Sequence, residues 1–234
     1  MKISIFSIPE VILGKHNVKD SRLDQVYKIV KSKKETYIQV ELVSGDAALD
    51  ADAILTLKDA CTDLILKDLE FVETRLSRTT DESEKILLNK LKSTLEKEEF
   101  IFSVPLSEKE KEAMSGYGLF TNKPVTVAEK QELDNLDILL LRCLQESDFI
   151  SFFTTTGEKE TRAWLIKKGT TAWEAAGTVH SDIQKGFIRA EIISFDDLIH
   201  SGGETQAKQA GKMRLEQKDY IMQDAELVNF RFNK

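Results

Sequence analysis

The sequence is poor in residues that cross-link a chain or break its secondary structure. It has two cysteines and three prolines among 234 residues. Cys61 and Cys143 lie in unrelated contexts, without a CxxC pair or a histidine at ligand spacing. This excludes a disulfide framework and a zinc motif, and we expect two buried, reduced thiols. No apolar run is long enough to span a bilayer, and Met1–Glu10 has no signal-peptide pattern. We therefore expect a cytoplasmic protein that does not associate with membranes.

The chain also lacks the excess of basic residues that a general nucleic-acid binder needs. The formal net charge is −7. Residues 1–150 hold 21 Lys and Arg against 28 Asp and Glu, and residues 151–234 hold 12 of each. Phosphate binding requires concentrated Lys and Arg, so DNA binding is not expected. The neutral C-terminal part still leaves room for a local basic face.

A degenerate phosphate-loop sequence follows the first predicted strand, Ile3–Ser7. A working loop reads GxxxxGK[ST], and its backbone amides and lysine bind the phosphates. Gly14 and Lys15 are present, but Pro9 stands at the first glycine and His16 stands at the hydroxyl residue. Proline removes an amide donor and fixes φ. Gly14 and Lys15 are the candidate nucleotide-binding residues, in a loop that the sequence predicts to be impaired.

Strands and helices alternate through the first 149 residues, which predicts an α/β layer with a parallel sheet. A helix is expected over Asp20–Lys34, strands over Thr36–Val43 and Ala53–Leu57, and a helix over Glu129–Glu146. Residues 60–99 contain no Gly or Pro, and leucines recur there at helical spacing. That segment predicts two antiparallel helices that form a coiled-coil hairpin.

The C-terminal third predicts a separate mixed domain. Two strands, Ile150–Thr156 and Thr161–Ile166, are joined by a short glycine-containing turn. A helix capped by Thr170 or Thr171 follows, and then come the strand FIRAEIIS, short helical pieces and the closing strand ELVNFRF. This order of elements is typical of a compact β-grasp, or ubiquitin-like, unit.

The text TRAWLIKKGTTAWEAAGTVHSDIQKGFIRAEIIS, followed by GKMRLEQKDYIMQDAELVNFRF, resembles the TGS domain of the YchF family. The resemblance implies a relative of the YchF proteins, which are Obg-related P-loop NTPases described as ATP-preferring. Upstream, KDSRLDQVYKIVKSKK and TDLILKDLEFVETRL resemble family segments more weakly. The expected architecture is a shortened NTPase-like α/β domain over residues 1–149, with the hairpin at about 60–99, followed by a TGS β-grasp domain over 150–234.

The departures from the family pattern affect its nucleotide motifs, and the chain is shorter than a full member. The family's DxAG corresponds to Ser44-Gly45-Asp46-Ala47, out of register. Its NxxE corresponds to Glu129-Lys130-Gln131-Glu132, without the asparagine that reads the base. Asn122-Lys123-Pro124 precedes a strand instead of following one, so it is rejected as an NKxD motif. Phosphoryl transfer depends on positioning and charge neutralisation. The sequence thus predicts no catalytic residue, metal or cofactor.

Alternation in the last strands separates the two faces of the predicted C-terminal sheet. Ile188, Ala190, Ile192, Val228, Phe230 and Phe232 are expected on the core face. The open face is expected to present a recognition patch for RNA or a ribosomal protein, and its candidate residues are Lys185, Arg189, Asn229 and Arg231. A solvated sheet face is the alternative interpretation. His180 is interpreted as a helix-ending hydrogen-bond partner, with a catalytic or ligand role as the alternative.

Three hypotheses of function follow. The first is a non-catalytic binding protein that docks on the ribosome, an RNA or a protein through its TGS domain. The second is a weak ATPase or GTPase that binds ATP or GTP with magnesium through Gly14 and Lys15. The third is an assembly protein that dimerises through the hairpin or the exposed sheet. The sequence leaves the partner's identity and the oligomeric state open.

Overall fold

A computed structural model describes residues 1–233 and divides the chain into two compact units. The first unit contains Met1–His16 and Val40–Ser147, and the second contains Asn17–Gln39 and the chain from Asp148 onward. The predicted division at residue 149 placed all of Asn17–Gln39 in the first domain. The structure differs because this segment packs against the C-terminal strands.

Helices and strands alternate along most of the described chain. The strands are β1 (Lys2–Phe6), β2 (Gly14–Val18), β3 (Lys34–Thr36), β4 (Ile38–Ser44), β5 (Ala53–Leu57), β6 (Val125–Ala128), β7 (Phe149–Thr155), β8 (Glu160–Lys167), β9 (Phe187–Ile193), β10 (Arg214–Glu216) and β11 (Glu226–Phe232). The α-helices are α1 (Ser21–Val30), α2 (Cys61–Arg78), α3 (Glu82–Leu95), α4 (Glu108–Met114), α5 (Leu136–Glu146), α6 (Ala172–Val179), α7 (Ser181–Lys185), α8 (Phe195–Ser201) and α9 (Glu204–Gln209). Short 3₁₀ segments lie at Gly45–Asp50, Lys58–Ala60, Ile101–Ser103 and Lys130–Asn135.

The first unit is built on a five-stranded sheet in the order β2-β4-β1-β5-β6. The pairs β4–β1, β1–β5 and β5–β6 are parallel, which confirms the predicted parallel sheet. In β5, Ala53, Ile54 and Leu55 are all fully buried. A continuous apolar run of this kind is expected for a central strand that is covered on both faces.

Helices α2 and α3 pack against each other in the first unit and bury one apolar cluster that includes Leu88 and Leu91. Asp81 caps α3 by accepting hydrogen bonds from the backbone amides of Ser83 at 2.7 Å and Glu84 at 3.1 Å. Replacing a fully buried leucine such as Leu91 by alanine costs about 2–5 kcal/mol. The apolar stripe therefore serves the packing of the pair.

The second unit is built on a six-stranded mixed sheet in the order β10-β9-β11-β7-β8-β3. Strands β7 and β8 form an antiparallel hairpin, and β11 lies between β9, to which it is antiparallel, and β7, to which it is parallel. One face packs on α6 and α7 through a cluster that includes Phe152, Ala176 and Phe230. Helix α1 contacts β8, and α8 contacts β11. Leu227 and Ile193, which alternate with the residues of the first face, are also buried.

Several elements differ from the sequence prediction. The helix expected over Asp20–Lys34 ends at Val30, because Lys31 adopts the left-handed conformation with φ 57°. The helix expected from Glu129 begins as a 3₁₀ segment and becomes α-helical at Leu136. Strands β2, β3 and β10 and helix α7 were not predicted. Among residues 1–233, no helix is both long enough and apolar enough to cross a membrane.

Candidate functional site

The first candidate site lies at the carboxyl edge of the parallel sheet, where α/β folds bind their ligands. A cleft of about 550 Å³ opens there beside the ends of β1 and β4. We call it the edge cleft. Its lining residues are Phe6, Ser7, Gly45, Asp46, Asp63, Leu66, Lys67 and Glu70.

The loop after β1 does not have the course of a phosphate loop. A phosphate loop leads into a helix whose N-terminal amides face the anion. Here the chain passes from β1 into the strand β2, and Gly14 and Lys15 are the first two residues of that strand, both exposed. The next helix, α1, begins only at Ser21 and is capped by the buried carboxylate of Asp20, which accepts a hydrogen bond from the Arg22 amide at 2.9 Å. The Asp20 carboxylate therefore takes the place at the N-terminus of α1 where the anion of a phosphate loop would lie.

The lining of the edge cleft is more acidic than basic. Asp46, Asp63 and Glu70 contribute three carboxylates, and Lys67 contributes one ammonium group. The Lys67 Nζ atom lies 5.1 Å from the ring centroid of Phe6 and 5.5 Å from that of Phe120. Phosphate sites need concentrated positive charge and amide donors. The residues of this cleft do not fit a nucleotide triphosphate, and within residues 1–233 no group of His, Cys, Asp or Glu side chains is arranged to hold a metal ion.

The positions aligned with the base-reading motifs have other contacts. Glu129 accepts a hydrogen bond from Lys58 Nζ at 3.1 Å, and Glu132 pairs with Arg142 at 3.0 Å. Lys123 lies just before β6, at the amino edge of the sheet, where its Nζ donates to the carbonyls of Ala48, Leu49 and Ala51. Burial lowers the pKa of Lys123. This placement agrees with the rejection of Asn122-Lys123-Pro124 as a nucleotide motif.

The second candidate site is the predicted recognition patch of the second unit. Arg189 and Arg231 are exposed and lie directly opposite each other on β9 and β11. Asn229 lies opposite Glu191, whose carboxylate accepts from Arg231 at 3.0 Å and from the Asn229 amide at 3.0 Å. The structure thus brings these predicted residues together, with Glu191 offsetting part of their charge.

Lys185 does not lie on that open face. It ends α7, the helix that packs on the opposite side of the sheet. There it lines a cleft of about 910 Å³ at the end of β9 and β11, which we call the terminal cleft. The residues that line it are His180, Asp182, Ile183, Lys185, Gly186, Phe232 and Asn233.

A β-bulge forms the terminal cleft. The pairing Arg231↔Arg189 is followed by Phe232↔Phe187, so Ile188 is an extra residue in β9. Because one extra residue reverses the alternation, Phe187 joins the core, and Ile188 is 45% exposed. Phe232 is 36% exposed and lines the cleft. The prediction that Ile188 lies on the core face was wrong, because strict alternation does not hold across a bulge. Phe232, in β11, keeps the parity of Phe230 but is partly exposed at the end of its strand.

Gly186 allows the end of β11 to cross the start of β9. A Cβ atom at this position would lie 1.9 Å from the Asn233 carbonyl oxygen. The Asn233 amide donates to the Gly186 carbonyl at 2.9 Å. The missing side chain therefore lets Phe232 and Asn233 lie close to the end of α7. Sequence reasoning missed this approach, because it depends on a contact between residues that are distant in the chain.

His180 and the two tryptophans have structural contacts. The Asp182 amide donates to His180 Nδ1 at 3.1 Å, so His180 caps α7. This hydrogen bond fits the predicted helix-end role, with the proton of the neutral ring on Nε2. Trp164 donates to Thr154 Oγ1 at 2.8 Å, and Trp173 donates to the Gln184 carbonyl at 3.0 Å. Both indole N–H groups are therefore satisfied.

Comparison with known proteins identifies the relatives of this chain. Residues 149–233 match the family YchF-GTPase_C, described as a protein of unknown function (DUF933). The chain is 30% identical over 246 residues to the ribosome-binding ATPase YchF of Bacillus subtilis, covering 78% of this chain and 67% of the relative. It is 57% identical over 81 residues to the protein of that name from Escherichia coli O157:H7, covering 35% of this chain and 22% of the relative.

Two further similarities concern a eukaryotic relative and the fold. The Obg-like ATPase 1 of Xenopus laevis is 46% identical over 84 residues, covering 36% of this chain and 21% of that protein. The chain thus spans two thirds of the B. subtilis relative and about a fifth of the E. coli and Xenopus relatives. The structure of the Schizosaccharomyces pombe YchF GTPase aligns with a TM-score of 0.72 at 20% identity, covering 99% of this chain and 97% of that chain, so it shares the fold.

Proposed function

The chain belongs to the YchF family, and from this premise we propose that it is a non-catalytic binding protein of that family. It docks on the ribosome, or on an RNA or protein partner, through its second unit. A cytoplasmic location accompanies this proposal. The observation that carries it is the course of the loop after β1, which enters a strand at Gly14 instead of a helix.

We infer that the second unit is a TGS domain of the β-grasp type. A hairpin, a crossover helix and a last strand inserted in the middle of a mixed sheet support this inference. The segment Asn17–Gln39 adds α1 and β3 to this unit. Helices α2 and α3 are proposed to be a coiled-coil arm, which their shared apolar cluster supports.

The loss of nucleotide binding follows from charge and geometry. An ATP or GTP phosphate tail in the edge cleft would meet three carboxylates and one ammonium group. Like charges a few ångströms apart repel by about 1–4 kcal/mol at the dielectric of a protein surface. A working phosphate site supplies amide donors and a helix N-terminus instead.

Residual nucleotide binding is the second candidate function. It is favoured by the cleft at the carboxyl edge and by the relatives' name of ATPase. It requires Lys15, the one remaining lysine of the loop motif, to reach the ligand. It predicts nucleotide binding that is lost in Lys15→Ala.

Isothermal titration of the full chain with ATP and with GTP, each with magnesium, separates the two candidates. We expect no heat of binding in wild type or in Lys15→Ala. Micromolar binding to wild type that is lost in Lys15→Ala would refute the non-catalytic proposal. Co-sedimentation with purified ribosomes tests the docking partner, and we expect it to persist without nucleotide.

A further inference from the structure

The edge cleft of the first unit is lined by three carboxylates that have no partner. They belong to Asp46, Asp63 and Glu70, and within residues 1–233 none of these side chains forms a hydrogen bond or an ion pair. One turn farther along α2, by contrast, Glu73 pairs with Lys92 at 2.7 Å. Carboxylates that share one cleft repel one another, so a cation that enters it is attracted by all three.

A cationic group of the chain itself already lies at this cleft. The Lys67 Nζ atom is 5.1 Å from the ring centroid of Phe6 and 5.5 Å from that of Phe120. Both distances are within the roughly 6 Å over which a cation is attracted to the face of an aromatic ring. Among the described residues Lys67 has no ion-pair partner. The ammonium group therefore rests on the two rings and is not tied to a carboxylate.

The two rings are held by rigid parts of the first unit. Phe6 is the last residue of β1 and is buried. The buried carboxylate of Asp68, the residue after Lys67, accepts hydrogen bonds from the Phe120 amide at 2.8 Å and from the Thr121 amide at 2.7 Å. These bonds fix the chain at Phe120 beside α2. The position beside the rings is therefore formed before any partner binds.

Apolar groups are exposed at the same place. Leu66 lines the cleft and is 53% exposed, and the loop that begins at Ser7 carries Ile12, which is 88% exposed. At about 550 Å³, the cleft falls within the range of roughly 300–1,000 Å³ that is typical of ligand pockets. A chain segment that carries both basic and apolar side chains matches this lining.

We propose that the edge cleft docks a segment of a partner protein that is rich in Lys and Arg. One of its cationic side chains takes the place of the Lys67 ammonium beside Phe6 and Phe120, among the three carboxylates. Charge complementarity supports this occupant, because the chain has a net charge of −7 and its excess acid lies within residues 1–150. This inference goes beyond the proposed function, which assigns docking to the second unit.

The test is fluorescence anisotropy of the full chain with a labelled peptide of four Lys-Leu-Ala repeats. We expect binding that weakens as salt increases, since exposed charges are screened. Glu70→Gln should weaken binding about threefold, the effect of one exposed ion pair, and the double variant Asp63→Asn/Glu70→Gln about tenfold. The far-ultraviolet circular dichroism of each variant checks its fold.

Two further variants locate the contact. Glu73→Gln makes the same change of charge one turn along α2, at a carboxylate that Lys92 already offsets, and it should leave the affinity unchanged. Lys67→Met keeps the length of the side chain but removes the ammonium group that rests on the rings. It should tighten binding about threefold, because the peptide no longer displaces a like charge.

The outcomes separate this inference from the proposed function. Absence of peptide binding, an equal loss in Glu70→Gln and Glu73→Gln, or no gain in Lys67→Met overturns the inference. Displacement of the peptide by an equal concentration of spermine also overturns it, because the cleft would then attract any polycation. So does equal binding of a peptide of Glu-Leu-Ala repeats. Co-sedimentation with ribosomes tests the proposed function separately, and it is expected to persist in Glu70→Gln.

Discussion

Glu226 is the buried centre of a charged network in the second unit, and its replacement by glutamine is expected to destabilise that unit. Glu226 is 2% exposed. Its carboxylate accepts hydrogen bonds from Arg214, from the Tyr220 hydroxyl at 2.6 Å and from the Gln223 amide at 2.9 Å. Burial raises the pKa of Tyr220, and the hydrogen bond to Glu226 raises it further. The network joins β10, β11 and the loop between them.

The magnitude follows from the number of donors. A glutamine has one oxygen and one NH₂ group, so Glu226→Gln leaves one of the donors without an acceptor. An unsatisfied buried donor costs about 1–3 kcal/mol. Arg214 is 46% exposed, so solvent screening limits the loss from its ion pair. We therefore expect a loss of about 2 kcal/mol in the free energy of unfolding of the second unit.

Urea unfolding followed by tryptophan fluorescence measures this loss. Both tryptophans lie in the second unit, so the signal reports on that unit. With a slope of about 1–3 kcal/mol per molar urea, the midpoint should fall by about 1 M. The matched control is Glu216→Gln, which removes the other carboxylate near Arg214, at 3.5 Å and 27% exposed. A midpoint for Glu226→Gln no lower than that of Glu216→Gln would refute the reasoning.

Three further changes test other parts of the fold. Gly186→Ala should lower the melting temperature of the second unit by tryptophan fluorescence, because its Cβ would lie 1.9 Å from the Asn233 carbonyl oxygen; an unchanged value would contradict the close approach. Hydrogen bonds from Thr79, Tyr117 and Arg75 lower the pKa of Glu84 to about 2. The stability that ionised Glu84 contributes is present above the pKa of the unfolded chain and is lost as pH falls toward 2. Glu84→Gln should therefore flatten the acid side of the plot of unfolding free energy against pH, measured by circular dichroism. An unchanged acid side would contradict a stabilising role of ionised Glu84. Burial raises the pKa of Cys143 to about 11, so its thiol should react with Ellman's reagent only on unfolding. The variant Cys61→Ser leaves Cys143 as the one thiol of the sequence. Rapid reaction of this variant in its native state would contradict the burial of Cys143.

Local signals in the sequence predicted local structure well. The run Ala53–Leu57 forms β5 with the predicted bounds. Thr171, one of the two predicted caps, begins α6 and forms a capping box with Glu174. Each of these features is set by residues within a few positions of one another, so the pattern suffices.

The features that the sequence could not supply depend on distant residues. Strand β3 has three residues, and it forms because Lys34, Glu35 and Thr36 pair with β8, more than a hundred residues later. Strand β2 reads GKHNV, which is not a β-forming pattern, and its pairing with β4 defines it. The bulge at Ile188 depends on the register of β9 with β11, so the exposure of Ile188 could not be read from alternation.

The distribution of charge connects the two candidate sites. The excess acid lies within residues 1–150, and three carboxylates line the edge cleft of the first unit. Exposed charges act over a Debye length of about 8 Å at physiological ionic strength, so each site's own charges govern its contact with a ligand. A polyanion is therefore repelled at the edge cleft, where three carboxylates face one ammonium group, whereas the terminal cleft, with Lys185 and Asp182 in its lining, has no net charge. On this argument the proposed absence of nucleotide binding depends on the charges that line the edge cleft itself, and replacing its carboxylates by amides would remove that repulsion.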